Sequence, residues 1–261
     1  MHIFFSSILI LFFYMVFVFL IAYFKEDNSI IDTAWGLGFI LLALYSFFSA
    51  EHIVQRHILI TILVLIWGFR LSGYITLKNW GKSEDPRYKA WRDAWMKYGK
   101  GYFFGRSFLQ IYMLQALFLF IISLPIIVVN ASTKSALSLL DIIGVLVWLT
   151  GFIFESVGDY QLLLFLKEEK NHGSILMSGL WRYTRHPNYF GEMLIWWGLF
   201  LIAINVPYGW ITCISPLTIS YLLFFVSGIP MTESLFDGHE EYEKYKRQTS
   251  AFFPWFVRKV A

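Results

Sequence analysis

The sequence predicts an all-α membrane protein, a bundle of about seven transmembrane helices that forms a single integral membrane domain over residues 1–261. Of its 261 residues, 57% are hydrophobic and only 15% are charged, whereas a soluble domain carries about 25% charged residues. The mean hydropathy is +0.58. The apolar residues form separate runs, each close to the roughly 20 residues that a helix needs to cross a bilayer.

The predicted spans follow one another along the chain with short polar connections. They cover residues 2–24, 29–49, 57–78, 107–130, 138–166, 189–206 and 209–230. The first run is longer than the apolar core of a signal peptide, which has about 7–15 residues, so we expect it to be retained as a span. Asn205, Pro207 and Gly209 indicate a tight turn between the last two spans.

The positive charges predict the orientation of the chain in the membrane. Of the 21 Lys and Arg residues, 18 fall in one set of loops and in the C-terminal tail, Arg56 and Lys134 lie on the other side, and Arg70 lies inside a span. Because cytosolic loops are enriched in Lys and Arg, we expect the N-terminus outside and the C-terminus in the cytosol. The predicted cytosolic parts are an interfacial loop (79–106), a cofactor-binding loop with the start of a helix (167–192) and a tail (231–261).

Several classes of function are excluded by composition and motifs. A single Cys213 leaves no internal disulfide and no thiolate zinc cluster. No cytosolic His pair has the i, i+4 spacing of a metal site, so no metal is expected. The net charge of +3, with aromatic residues spread mainly through apolar runs, argues against nucleic-acid binding. Since no glycine-rich phosphate loop is present, any nucleotide must be held by the membrane helices.

The loop over residues 79–106 is the longest polar connection. Trp91, Trp95 and Tyr98 recur at spacings of four and three, with basic residues between them. This pattern favours a helix that lies in the plane of the lipid headgroups and anchors the protein. The alternative is a helix with a direct role over the functional site.

Ionisable residues at membrane depth are functional candidates because they are costly there. Five of those within spans share the predicted cytosolic half, which indicates a polar cavity open to the cytosol: Asp32, Arg70, Glu155, Asp159 and Glu192. Structural alternatives remain open. Asp32 and Arg70 are equally consistent with an internal salt bridge, and Glu155 with a pair to Lys167.

Residues 179–192 (GLWRYTRHPNYFGE) form the strongest motif. Pro187 suits the first position of a helix, where free N–H groups attract anions. Arg182 and Arg185 add positive charge, and a guanidinium can bind a phosphate through two N–H groups. With Asn188, Tyr189 and Glu192, they predict a socket for a phosphate-bearing or otherwise polar cofactor at the cytosolic membrane surface. A basic interfacial anchor is the alternative, but it does not account for Asn188 and Glu192.

The motif resembles the cofactor site of membrane sterol reductases and steroid 5-alpha-reductases, mainly through residues 185–192 (RHPNYFGE). The tail segments 239–245 (HEEYEKY) and 249–254 (TSAFFP) are similar to the end of the same superfamily. Residues 32–36 (DTAWG) and 67–71 (WGFRL) extend the resemblance forward and point to its bacterial 5-alpha-reductase-like branch. That branch implies a multi-pass protein of the bacterial inner membrane.

The resemblance implies an NADPH-dependent reduction of a carbon–carbon double bond in a steroid-like or isoprenoid lipid drawn from the bilayer. The implied cofactor contacts are Asp159, Arg182, Arg185, His186, Asn188, Tyr189, Glu192, His239 and Tyr245. The implied substrate cavity includes Trp35, Trp67 and Glu155, and the implied catalytic residues are Asp32, Tyr74 and Arg70. Steroid 5-alpha-reductases polarise the substrate carbonyl with a Glu–Tyr pair. Asp32 aligns with the acid, but Trp67 stands where the tyrosine is expected, and Tyr74 is the expected substitute.

Two other functions remain open at this point. Isoprenylcysteine carboxyl methyltransferases belong to the same superfamily, bind S-adenosylmethionine and share an Arg-His-Pro-x-Tyr-x-Gly pattern. They usually carry paired Glu residues after the last span, whereas this chain reads Thr232-Glu233. A non-catalytic lipid-binding protein is the second alternative. The sequence predicts neither the exact substrate nor the oligomeric state.

Overall fold

A computed structural model describes residues 2–171 and 173–258 of the chain, so residues 259–261 of the predicted tail, including Lys259, lie outside the described residues. Over this range the chain is helical, and its one described β feature is an isolated bridge between Thr184 and Ser250. The chain divides into two compact units. Unit 1 comprises Met1–Leu137 with Val206–Thr212, and unit 2 comprises Ser138–Asn205 with Cys213–Ala261.

Unit 1 is built from seven α-helices. They are α1 (His2–Lys25), α2 (Ile30–Phe48), α3 (Gln55–Asn79), α4 (Pro86–Met96), α5 (Lys100–Arg106), α6 (Leu114–Ile122) and α7 (Leu124–Asn130). A π-helical segment joins α5 to α6, so Lys100–Ile122 forms one rod of 23 residues. The span expected over 107–130 is therefore displaced toward the N-terminus. Its predicted C-terminal part is a separate helix, because Pro125 lies in the first turn of α7 and interrupts the hydrogen-bond ladder.

Small residues allow α2 and α3 to approach closely. A Cβ atom on Gly36 would lie 2.8 Å from the carbonyl oxygen of Gly68 and 2.5 Å from Ser72 Oγ. That hydroxyl donates a hydrogen bond to the Thr33 carbonyl at 2.9 Å. Close backbone approach at small residues, with hydroxyl groups bonded across the interface, is a common way for helices to associate in a membrane.

Unit 2 contains the remaining α-helices of the described chain. They are α8 (Leu139–Lys167), α9 (Pro187–Ala203), α10 (Ile214–Tyr221), α11 (Ile229–Ser234) and α12 (Glu240–Gln248). A 3-10 turn precedes α10 and a π-helical segment follows it, and together with α11 they make up a 26-residue candidate span, Gly209–Ser234. A short 3-10 helix, Gly179–Arg182, lies in the loop between α8 and α9.

Five glycines hold α8 and α9 together as an antiparallel pair. They recur every seventh residue on each helix, and thus on one face: Gly144, Gly151 and Gly158 on α8, and Gly191 and Gly198 on α9. A Cβ on Gly151 would lie 2.5 Å from the Gly191 carbonyl oxygen, and a Cβ on Gly198 would lie 2.6 Å from that of Gly144. Gly158 contacts Pro187 at the N-terminus of α9, so most of the length of α9 packs along α8.

Six helices in the described part of the chain are long and apolar enough to cross a membrane: His2–Lys25, Ile30–Phe48, Gln55–Asn79, Lys100–Ile122, Leu139–Lys167 and Gly209–Ser234. The expected sixth span, 189–206, corresponds to α9, which has 17 residues and a length of about 25 Å, at the short end for a span. The structure confirms an all-α, multi-helix membrane protein. The orientation and the kind of membrane stay predictions.

Candidate functional site

The strongest sequence motif forms the junction between the 3-10 turn and α9 in unit 2. The helix begins at Pro187, with His186 as its N-cap, which confirms the predicted helix start. The residues before it are buried: Thr184 is fully buried, His186 is 1% exposed and Arg185 is 9% exposed. The segment 184–187 of the motif is thus part of the protein interior.

Arg185 is bound on several sides by other protein groups. Its Nε and one terminal nitrogen each lie 2.9 Å from Glu233 Oε1. The other terminal nitrogen donates to the carbonyl oxygens of Thr249 at 2.6 Å and Lys246 at 3.2 Å. Because these bonds use most of the guanidinium donors, Arg185 braces the start of α9 against α11 and the chain after α12. The predicted contact with a phosphate stays a prediction.

His186 and Tyr189 extend the same cluster. His186 Nε2 lies 3.1 Å from Glu233 Oε1, and its ring stacks on that of Tyr189, with centroids 5.2 Å apart. The Tyr189 hydroxyl is 2.8 Å from Thr232 Oγ1. Burial lowers the pKa of His186, and the neighbouring Glu233 only partly opposes this. The imidazole is therefore neutral at pH 7, and we assign its proton to Nε2, from where it is donated to Glu233.

Asp159 and Asn188 form the second polar pair of unit 2. Asn188 Nδ2 donates to Asp159 Oδ1 at 3.2 Å, and Asp159 is 4% exposed. The other amide atom, Asn188 Oδ1, is buried without a hydrogen-bond partner among the described residues. A buried acceptor without a partner is costly, so this oxygen is available for a ligand. Glu155, one turn before Asp159 on α8, is 2% exposed.

Trp181 links this pair to the tail. Its Nε1 donates to the Gly158 carbonyl at 3.1 Å, next to Asp159, and its own carbonyl accepts a hydrogen bond from the Tyr245 hydroxyl. Burial raises the pKa of Tyr245, so the phenol keeps its proton. Sequence reasoning missed the structural roles of Trp181 and Glu233. Glu233, the first acid after the last predicted span, was a usable signal, because a buried Arg–His pair requires an acceptor.

A cavity of about 360 Å³ lies beside the 3-10 turn. Its lining combines apolar, hydroxyl and amide side chains with one cation: Met177, Ser178, Gly179, Arg182, Tyr245, Gln248, Thr249 and Val257. Arg182 and Tyr245 are thus two predicted cofactor residues in one cavity. Arg182 is exposed and forms no salt bridge with any residue in the described part of the chain.

Other predicted cofactor residues lie outside the cavity lining. Glu192 is half-buried on α9, one turn beyond Asn188, and His239 is exposed at the start of α12.

Gly179 is part of the cavity wall, and its φ of +62° is unfavourable for residues other than glycine. A Cβ there would also collide with the Gln161 amide, whose oxygen accepts a bond from the Leu180 N–H at 3.0 Å.

In unit 1, the side chains that contact Asp32 come from α4. The Tyr88 hydroxyl donates to Asp32 Oδ1 at 2.6 Å, and Arg87 lies 3.4 Å from Oδ2. Tyr88 is 6% exposed, and burial together with the charge of Asp32 raises its pKa well above the usual value. The predicted interfacial segment therefore supplies a phenol to the candidate acid. Sequence reasoning missed Tyr88, although it lies three residues before Trp91 in the aromatic stripe.

Hydrogen bonds fix α4 at this position. Asp85 caps the helix by accepting the Arg87 N–H at 2.9 Å. Arg92 lies 2.5 Å from Glu84 Oε2, and Glu84 accepts the Asn28 N–H from the turn before α2 at 2.8 Å. The polar loop is thus attached to the turn between α1 and α2.

The other predicted unit 1 residues lie on α2 and α3. Arg70 and Tyr74 are one turn apart on α3, and both are half-buried. Trp67 is fully buried and packs against Phe39 with ring centroids 5.3 Å apart, and Phe39 in turn contacts Trp35 at 5.4 Å. Of the residues implied for the substrate cavity, Trp67 therefore belongs to the core of unit 1, whereas Glu155 belongs to unit 2.

Comparison with known proteins gives one family and one distant relative. A family model described as "Protein of unknown function (DUF1295)" matches residues 18–249. An uncharacterised protein of Schizosaccharomyces pombe is 24% identical over 249 residues, which covers 86% of this chain and 70% of the relative. No solved structure matches the chain significantly.

Proposed function

Since the chain belongs to the DUF1295 family, membrane proteins related to steroid 5-alpha-reductases, we propose that it is a membrane-embedded, NADPH-dependent reductase. Its substrate is a hydrophobic, steroid-like or isoprenoid lipid in which a carbon–carbon double bond is conjugated to a carbonyl. The observation that carries the proposal is the hydrogen bond between Tyr88 and Asp32 in unit 1.

The Tyr88–Asp32 pair supplies what such a reaction needs from the protein. Reduction adds a hydride to one carbon and a proton to its neighbour, and a hydrogen-bond donor at the carbonyl oxygen stabilises the enolate that develops between these steps. Tyr88 Oη lies 2.6 Å from Asp32 Oδ1, and the raised pKa keeps the phenol protonated at neutral pH. In the proposed step the hydroxyl turns its one proton from Asp32 to the substrate carbonyl oxygen. Tyr88 thus takes the role in our proposal that the sequence suggested for Tyr74.

Unit 2 offers side chains that fit NADPH. Among the described residues, Asn188 Oδ1 has no hydrogen-bond partner and suits an amide or ribose donor, and the Arg182 guanidinium, without a salt bridge there, suits a phosphate. Gln248 adds an amide to the cavity that Arg182 lines. When bound, NADPH supplies the hydride. In this assignment Arg185 positions the start of α9 rather than contacting the cofactor, because its donors are already bound.

Cofactor binding gives the first test. We expect NADPH to raise the unfolding temperature of the detergent-purified protein, and Asn188→Ala to remove most of that increase, because the variant loses the amide. Stabilisation by S-adenosylmethionine alone would identify a methyltransferase instead. Stabilisation by neither ligand would favour a non-catalytic lipid-binding protein.

Substitution of the phenol gives the second test. With a panel of lipid enones and NADPH oxidation followed by absorbance, Tyr88→Phe should lower kcat by about 10²–10⁴-fold, the usual contribution of a general acid. The thermal shift with NADPH should remain. Tyr98→Phe is the matched control, because Tyr98 follows the same helix and is 74% exposed. Equal activities of the two variants would refute the assignment of Tyr88.

A further inference from the structure

We propose that the cavity beside the 3-10 turn Gly179–Arg182 binds the adenosine 2′-phosphate end of the cofactor, and that Arg182 thereby selects NADPH over NADH. The inference rests on the proposed function and assigns one part of the cofactor to one place in unit 2. It also separates the roles of two arginines that lie three residues apart.

The charges around the cavity support this assignment. Arg185 is buried and bonded to Glu233 and two carbonyl groups, whereas Arg182 is exposed and unpaired among the described residues. The lining contains Arg182 but no Asp or Glu. An arginine without a carboxylate partner can offer two parallel N–H groups to a phosphate dianion. NADPH and NADH differ only in the adenosine 2′-phosphate, so this guanidinium can distinguish them.

The remaining lining suits a nucleoside. Tyr245 gives its hydroxyl proton to the Trp181 carbonyl, so it contributes a fixed aromatic ring to the wall. Met177 and Val257 add apolar surface, and Gln248 and Ser178 add an amide and a hydroxyl. The volume of about 360 Å³ is near the lower end of the roughly 300–1,000 Å³ of small-molecule sites. It therefore suits one half of a dinucleotide better than the whole.

The cavity wall is fixed before any ligand binds. Trp181 is bonded at its ring nitrogen to α8 and at its carbonyl to Tyr245 of α12. Gly179 holds the turn at positive φ against Gln161. A preorganised wall lowers the entropy cost of binding. Trp181 also connects the wall to the second polar pair, because it bonds to Gly158 and the next residue, Asp159, binds Asn188.

Two nucleotide fragments test the inference on the purified full-length protein. We expect 2′,5′-ADP to stabilise the protein against heat and to displace NADPH, and 5′-AMP to bind at least tenfold more weakly. Arg182→Gln should weaken NADPH binding by about tenfold to a hundredfold, since it removes charged hydrogen bonds to the phosphate. Affinity for NADH should change by less than about twofold, which is within RT of free energy.

Matched variants separate this role from a general loss of charge or of folding. Arg247→Gln is the charge control, because Arg247 is exposed on α12 and does not line the cavity. Arg182→Lys should recover part of the preference for NADPH. Ser178→Trp fills the cavity without removing the cation and should weaken 2′,5′-ADP binding, which gives an independent test if Arg182→Gln fails to fold.

The outcomes distinguish the inference from the proposed function. If the wild-type protein binds NADPH but not 2′,5′-ADP, or if Arg182→Gln weakens NADPH and NADH equally, the cavity assignment is wrong and the reductase proposal stands. If the wild-type protein binds S-adenosylhomocysteine and neither nicotinamide nucleotide, both are wrong.

Discussion

Removal of the Glu233 carboxylate should destabilise unit 2 more than most single substitutions. Glu233 is 15% exposed and accepts hydrogen bonds from Arg185 and His186, with Lys246 Nζ 3.7 Å from its second oxygen. Glu233→Ala leaves the guanidinium of Arg185, which is 9% exposed, without its counter-charge. The buried charge then keeps its carbonyl partners at Thr249 and Lys246.

The expected loss follows from the number and type of these bonds. Two N–H groups of Arg185 and one of His186 bind Glu233 Oε1. At roughly 1.5–3 kcal/mol for a hydrogen bond to a charged group, three independent bonds would contribute about 4.5–9 kcal/mol, mostly above the 3–5 kcal/mol found when one partner of a buried pair is removed. The bonds share one acceptor and are not additive, so we expect about 3–5 kcal/mol for Glu233→Ala. Glu233→Gln keeps one acceptor oxygen and should cost about half as much.

A double-mutant cycle measures the pair directly. The unfolding free energies of the wild type, Glu233→Gln, Arg185→Gln and the double variant are compared by titration with denaturing detergent. We expect a coupling of about 1–3 kcal/mol, because contacting charged residues are not additive. A coupling near zero, or a loss below about 1 kcal/mol for Glu233→Ala, would refute the view that Arg185 braces α9 through Glu233.

Two further predictions concern stability. Gly151→Ala should lower the free energy of unfolding by about 1–3 kcal/mol, because its Cβ would lie 2.5 Å from the Gly191 carbonyl oxygen. The control Gly105→Ala, whose Cβ would have nothing within 4 Å, should be neutral or slightly stabilising. Equal unfolding temperatures of the two variants would contradict the close packing of α8 and α9. Burial lowers the pKa of His186, so protonation favours the unfolded state and stability should fall as the pH drops below about 6.5. In unfolding experiments between pH 8 and 5, His186→Gln should show a smaller decrease, and an unchanged slope would assign the pH dependence to other groups.

The fold class and most helices were predictable from the sequence because apolar runs report directly on membrane spans. Span ends were less predictable where local geometry intervenes. The fourth span lies at Lys100–Ile122 rather than 107–130, since Lys100 and Arg106 masked the apolar residues between them and Pro125 begins a new helix. The seven-residue spacing of glycines on α8 and α9 is visible in the sequence, but only the structure shows that the two sets face each other.

The partners of the candidate site residues were the least predictable part. Asp32 contacts Tyr88, 56 residues away, and Arg185 contacts Glu233, 48 residues away. Such pairs depend on how the loops fold back, which hydrophobic periodicity does not report. Arg182 and Arg185 also look equivalent in the sequence, and only the structure shows that Arg185 is buried and bonded whereas Arg182 is exposed.

The connection between the start of α9 and the chain after α12 has a consequence for synthesis. The backbone N–H of Arg185 donates to the Ser250 carbonyl at 2.9 Å, and the Thr184 hydroxyl donates to the Phe252 carbonyl at 2.8 Å. A growing chain inserts its helices in order, yet the acceptors of these two groups are synthesised about 65 residues later. The polar centre of unit 2 therefore closes only after residues 249–252 have been made, so a ribosome that stops before residue 249 releases helices without the cavity beside the 3-10 turn.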